Sequence, residues 1–191
     1  MAGSAAYTAI IDANALFTRL QCDVLLSLAH ADLYSAKWSA TIMREWTTAT
    51  VRQYPDAAAA VEKKAAAMCQ AIPDCLVEGY EPLIAGLELP DTKDRHVLAA
   101  AIVGHADAIV TWNGKDFPTD VLAPYGIEIQ TPDEFVTNQI LLYKLPAVAA
   151  LRTMRERWQR PAMDGAALIE RLNQRQMPRT AAHLQDAIGL L

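Results

Sequence analysis

The chain has 191 residues, 52% hydrophobic and 20% charged, enough apolar content to bury a full core and too much for a disordered segment. No apolar run approaches the length of a bilayer span, and Cys22, Cys69 and Cys75 form no CxxC pair, which excludes a disulfide framework and a zinc knuckle. The formal charge of −5 is unevenly spread: residues 1–144 hold 10 Lys+Arg against 18 Asp+Glu (net −8), and residues 145–191 hold 7 Arg against 4 acids (net +3).

The start, MAGSAAYTAII, lacks a basic leader and is followed by Asp12, so the reading expects no secretion signal and a cytoplasmic protein. YTAIID, 7–12, predicts a buried strand ending at Asp12. NALFTRLQCDVLLSLAHA places Leu16, Leu20, Val24 and Leu28 at helical spacing, and SATIMREWTTATVRQY predicts a helix capped by Ser39 and stopped before Pro55. DAAAAVEKKAAAMCQAI predicts a third helix closed by Pro73, after which residues 74–90 read as loop with one short strand. Thr92 is expected to cap a helix running to about Gly104; AIVT, 108–111, reads as a strand, NGKDFP as a turn, and GIEIQT as the last strand. From Pro132 onward every segment reads as helix, punctuated by Pro146, Pro161 and Pro178.

Strands alternating with helices imply an α/β fold with a central parallel sheet covered on both faces. The expected division is a domain at 1–135 and a basic helical extension at 136–191.

The acids raise the chemical question. Asp12 ends the first strand, Asp116 lies just past the strand ending at Thr111, Asp94 begins the face that continues through Val97, Leu98 and Ala101, and Glu45 is expected on an inward face with Ile42 and Ala49. Each alone has a plain explanation: Asp12 and Asp116 as turn residues, Glu45 as a semi-exposed helix residue, and Asp94 as a first-turn carboxylate. Together they place four repelling charges at one sheet edge with no matched Lys or Arg, and Asp91 extends the line. A hard divalent cation, Mg²⁺ or Mn²⁺, resolves that repulsion, and the lack of a His or Cys constellation disfavours zinc. Asp107 precedes a strand and is expected at the opposite edge, as a turn or cap residue.

IIDANAL, Glu45, DTKDRHVLAAAIV and IVTWNGKDF, in this order, resemble the PIN domain, and particularly ribonuclease toxins of the VapC type with a C-terminal helical extension. The resemblance covers about residues 7–135. It implies a PIN-like α/β/α sandwich and a metal-dependent endoribonuclease whose Asp12, Glu45, Asp94 and Asp116 bind Mg²⁺ or Mn²⁺, with Asp91 as an auxiliary. It further implies an RNA substrate, a small cognate antitoxin and a homodimer, with no membrane association.

Asn14 and Thr111 match polar positions beside the metal and Asn113 a turn position of the TxN motif, as supporting polar residues, although Asn14 also reads as a helix cap and Asn113 as a plain turn former. Arg95, Arg152 and Arg155, with Arg157 and Arg160, are the candidates for RNA phosphates, against the plainer reading of a solvated helix face. His96 is not required by metal chemistry. Two other readings stand beside this one. A receiver-like phosphoacceptor domain fits poorly, because no adjacent acidic pair ends the first strand; a non-catalytic PIN-like module that binds RNA or protein leaves the acids without a role.

Overall fold

A computed structural model describes residues 7–159 and 161–191. Arg160, one of the arginines named above, lies outside the described residues.

The chain begins with β1 (Thr8–Ile11), whose TAII run is almost wholly buried, and a short turn leads to α1 (Arg19–His30). β2 (Ser35–Ser39) then feeds α2 (Ala40–Gln53) directly, Ser39 Oγ accepting from Ile42 N at 3.1 Å as the helix cap. α3 (Ala58–Ala71) precedes β3 (Leu76–Val77), and the one-turn α4 (Glu81–Ile84) breaks the loop before α5 (Arg95–Val103). β4 (Ala108–Val110), α6 (Thr119–Leu122) and β5 (Glu128–Gln130) complete the sheet region. Four helices follow: α7 (Pro132–Leu142), α8 (Lys144–Glu156), α9 (Gly165–Gln174) and α10 (Pro178–Gln185).

Three elements differ from the expectation, one being α4, a helical turn in the segment expected as loop with one short strand. β2 carries no apolar run because Ala36 and Trp38 are the only apolar residues of SAKWS: Ser39 is buried but polar, and Lys37 reaches out to the carbonyl of Asp74 at 3.1 Å. Thr92 does not cap the helix before Gly104: Asp91 Oδ1 accepts from Lys93 N at 2.9 Å and caps a 3-10 turn over Thr92–Asp94, which leads into α5 with no side-chain cap of its own. Gly104 is needed where α5 ends, since a Cβ there would lie 2.9 Å from the Ala100 carbonyl and 3.0 Å from Val77.

The sheet is parallel throughout, in the order β3-β2-β1-β4-β5, with Ala9 in register with Ala36 on one side and Ala108 on the other. Successive strands step from β1 outward to β3, then cross back to β4 and β5. Right-handed crossovers in opposite directions put helices on both faces, giving the expected α/β/α sandwich. Ile10, Ile11, Trp38, Leu98, Ile109 and Phe135 are fully buried between these layers.

Because chain direction reverses its march beside β1, the carboxyl ends of β1 and β4 flank the switch point of the sheet, where open α/β sheets bind ligands. The helices run back from that edge, so the starts of α2 and α5 lie there too. Asp107 sits at the opposite edge, its Oδ2 accepting from Thr8 N at 2.7 Å.

The closing helices share the core. Pro132 opens α7 inside a capping box of Thr131 and Glu134, and Phe135 packs edge-on against Tyr34 at 4.6 Å between ring centroids. Leu151, Met154, Leu168 and Leu184 join the same buried cluster as the sheet. α1 is stitched to these helices by Gln21 Nε2, which donates to the Arg175 carbonyl at 2.7 Å, and by Arg157, which donates to Ser27 Oγ at 2.9 Å. No described helix is long and apolar enough to cross a membrane.

Candidate active site

Asp12 follows β1 and is only 7% exposed. Its Oδ1 accepts from Ala13 N at 2.7 Å; its Oδ2 accepts from Thr111 Oγ1 at 2.7 Å and Asn14 Nδ2 at 2.6 Å. Burial pushes its carboxyl above the usual range, and the bonds from Thr111 and Ala13 pull against that shift.

Asn14 does not cap α1, as one reading had it. Thr18 does, accepting from Gln21 N at 3.3 Å. Asn14 instead ties the ends of two strands together: its Nδ2 reaches Thr111 Oγ1 at 2.9 Å, and its Oδ1 accepts from Trp112 N at 2.9 Å. Asn113 shapes the following turn, its N–H donating to Thr111 Oγ1 at 3.0 Å, and its Nδ2 also donates to Asp116 Oδ2.

Asp94 faces this group from the start of α5. Its Oδ2 is buried and has no hydrogen-bond partner. Desolvation first, then the charges of Asp12, Asp91 and Asp116, raise its carboxyl to about 6, with His96 acting in the opposite direction. Asp12, Asp91, Asp94 and Asp116 are thus electrostatically coupled, and among the described residues none of the four has a Lys or Arg salt bridge.

Glu45 departs from expectation. Its side chain is 46% exposed, because the buried line of α2 runs through Ile42 and Trp46 and leaves Glu45 at the rim. It is near enough to Asp12 to repel it, and His96 Nε2 holds its Oε1 at 3.0 Å. His96, which metal chemistry does not require, lies two past Asp94 on the buried side of α5, where its Nδ1 also lacks a partner.

The basic candidates separate. Arg95 is partly buried with an unpartnered Nε. Arg155 is not available to phosphate: Nη1 donates to the Met163 carbonyl at 2.8 Å, Nη2 lies 3.6 Å from Glu156, and the side chain is 18% exposed. Arg152 is exposed but paired with Glu156 at 3.0 Å, and Arg157 is spent on Ser27.

The donor set is all oxygen apart from His96, the chemistry a hard divalent ion prefers. An orphaned, buried carboxylate oxygen among repelling acids fits such an ion better than it fits any protein cation at hand. Among the described residues no three His, Cys, Asp or Glu side chains close around one point, so the group is a concentrated negative field rather than a finished coordination shell.

A five-stranded parallel sandwich with acids at its switch point defines a class, and comparison with known proteins agrees. The PIN domain profile matches residues 8–115, so the chain belongs to the PIN domain family. The profile of the VapC50 C-terminal domain matches residues 132–186, giving the chain the build of a VapC-type PIN protein with a C-terminal extension. The chain is 40% identical over 104 residues to the Mycobacterium tuberculosis (strain ATCC 25618 / H37Rv) protein named "Putative ribonuclease VapC50", a stretch covering 54% of this chain and 60% of that protein. The match therefore spans less than two thirds of that relative's length. No solved structure matches the chain.

Proposed function

We propose that the protein is a Mg²⁺- or Mn²⁺-dependent endoribonuclease, the toxin of a type II toxin–antitoxin pair, with residues 1–135 as the nuclease domain and 136–191 as its extension. The single observation that supports this most is the buried, unpartnered Asp94 Oδ2 set among Asp12, Asp91 and Asp116. Asp12, Glu45, Asp94 and Asp116 would hold the metal, with Asp91 as an auxiliary.

A bound divalent ion supplies Lewis acidity, making water a nucleophile near neutral pH and stabilising negative charge on the phosphoryl oxygens. The chain's own residues arrange that chemistry. Thr111 and Asn14 fix the orientation of Asp12, Asn113 fixes Asp116, and His96 holds the rim carboxylate of Glu45. Asp94, whose carboxyl burial and the neighbouring acids raise to about 6 without metal, is the acid most in need of a cation to stay ionised at neutral pH. The acids hold and orient; none attacks phosphorus.

The partners in this reading are cellular RNA, a small antitoxin and a second copy of the chain, in the cytoplasm. Leu141, Leu142 and Leu145, each more than 60% exposed at the α7–α8 junction, offer apolar surface for protein contacts. One observation favours a second reading, a non-catalytic PIN-like module for RNA or protein: no three ligand side chains converge among the described residues. The test is incubation of the purified chain with single-stranded RNA in Mg²⁺ or Mn²⁺ and in EDTA. Cutting that EDTA abolishes supports the nuclease, and intact RNA in both supports the module.

A further inference from the structure

Two adjoining hollows lead away from Glu45. The nearer, about 900 Å³, is lined by Glu45 itself and by Arg44, Arg52 and Lys93. The farther, about 520 Å³, has one wall from α1 and α3, with Arg19 and Lys64, and another from the closing helices, with Trp158, Arg171 and Arg175. Phe17 and Gln53 line both, so the two hollows adjoin there and together make a groove. Each lies within the roughly 300–1,000 Å³ of typical ligand pockets.

The groove gathers 7 of the chain's 17 Lys and Arg residues in a protein of net charge −5. Asp23 offsets part of this, pairing with Lys64 at 3.3 Å and Arg19 at 3.7 Å, and it also accepts from Trp158 Nε1 at 3.1 Å. The Arg19 guanidinium lies 4.4 Å and that of Arg171 5.5 Å from the Trp158 ring centroid, presenting flat cationic surface to whatever enters. Cations spaced along a groove with interleaved flat side chains suit an unpaired strand, whose phosphates seek charge and whose bases stack. Trp158 is already stacked by Arg19 and Arg171, so the flat surface left for bases is their guanidinium planes and Phe17, and a duplex would offer no free base faces to these.

We propose that this groove is the track for the single-stranded RNA flanking the cut site, and that the closing helices serve substrate binding through Trp158, Arg171 and Arg175. The choice of RNA rests on the nuclease reading above; the groove, its charge and its junction with Glu45 do not. The arginines carried by the closing helices into substrate contact are thus Arg171 and Arg175, in place of Arg152 and Arg155.

The probe is a fluorescein-labelled single-stranded RNA of about ten nucleotides, a length within known site sizes, read by anisotropy with the full chain in EDTA so that cutting plays no part. Replacing Arg171 and Arg175 together by Gln is expected to weaken binding about tenfold or more and to flatten the log–log salt slope by about 1.4, as two lost phosphate contacts require. The Lys pair at the same positions should keep most of the affinity, and Arg152→Gln should change nothing. Arg44→Gln with Arg52→Gln, both on the exposed surface of α2, should weaken binding similarly and serves if the first pair melts early. Undiminished RNA binding and an unchanged slope in both Gln pairs would overturn the proposal. So would a groove variant that loses a co-purifying protein partner while binding RNA normally. Wild-type chain that binds RNA through the groove yet never cuts it in Mn²⁺ would support the groove and sink the nuclease.

Discussion

His96 Nε2 stands 3.0 Å from Glu45 Oε1, joining the buried side of α5 to the exposed rim of α2. A carboxylate that is 46% exposed is otherwise free to swing into solvent, so this contact sets where Glu45 points. His96→Gln is expected to lower RNA cleavage about 10- to 100-fold, the usual cost of losing a partner that orients a metal ligand. Steady-state cleavage assays check this, with the loss eased by raised Mn²⁺ if the role is positioning. Wild-type rates in the variant would remove His96 from the site.

Asp94 carries a pH signature. Its folded carboxyl is raised to about 6, above the ordinary carboxylate value, so between those two values the native state binds the extra proton. Metal-free stability therefore rises as pH falls through 6 and levels off below about 4. Asp94→Asn should melt higher than wild type at pH 7 without metal, the gain should vanish below about pH 4, and cleavage should fall by more than about 100-fold. Thermal melts across pH in EDTA measure the first two effects. A variant less stable than wild type at pH 7 would show that repulsion does not govern this group.

Thr111 binds a buried charge. Thr111→Val keeps the shape but leaves Asp12 Oδ2 without its 2.7 Å donor, at an expected cost of about 1–3 kcal/mol. For a chain of this size that is a melting shift of about 2–4 °C per kcal/mol. No change in melting would mean that Asn14 alone satisfies Asp12.

Asp133 is the hinge pin of the closing helices. Buried at the start of α7, it accepts from Thr180 N at 2.8 Å and Arg179 N at 3.0 Å, satisfying two orphan donors in the first turn of α10. Asp133→Ala should cost about 1–3 kcal/mol. Limited proteolysis should then cut first near α10, and uniform resistance would contradict this role.

What the sequence made legible follows from burial. Strands with inward residues on both faces, such as TAII and AIV, announce themselves, and so do helices bounded by Ser39, Pro55, Pro73 and Pro132. β2 hides because its alternate residues, Ser35 and Lys37, are only partly buried, and two-residue β3 gives it little cover on that side. The gathering of Asp12, Asp94 and Asp116 was readable, since strand ends and helix starts share one edge of a parallel sheet. The orientation of Glu45 was not, because a one-residue step around α2 separates the buried line from the rim. Nor could spacing reveal that Arg155 turns back to Met163 while Arg171 faces the groove, which depends on how α8 and α9 pack.

The carboxylates of Asp12, Glu45, Asp94 and Asp116 are proposed to form a divalent-cation site. Calorimetric titration of the purified chain with Mn²⁺ at neutral pH, beside the Asp94→Asn form, tests it most directly. Saturable binding is expected of the wild type, abolished or weakened by more than about tenfold in the substituted form. Equal binding by the two proteins, or none by either, would contradict it.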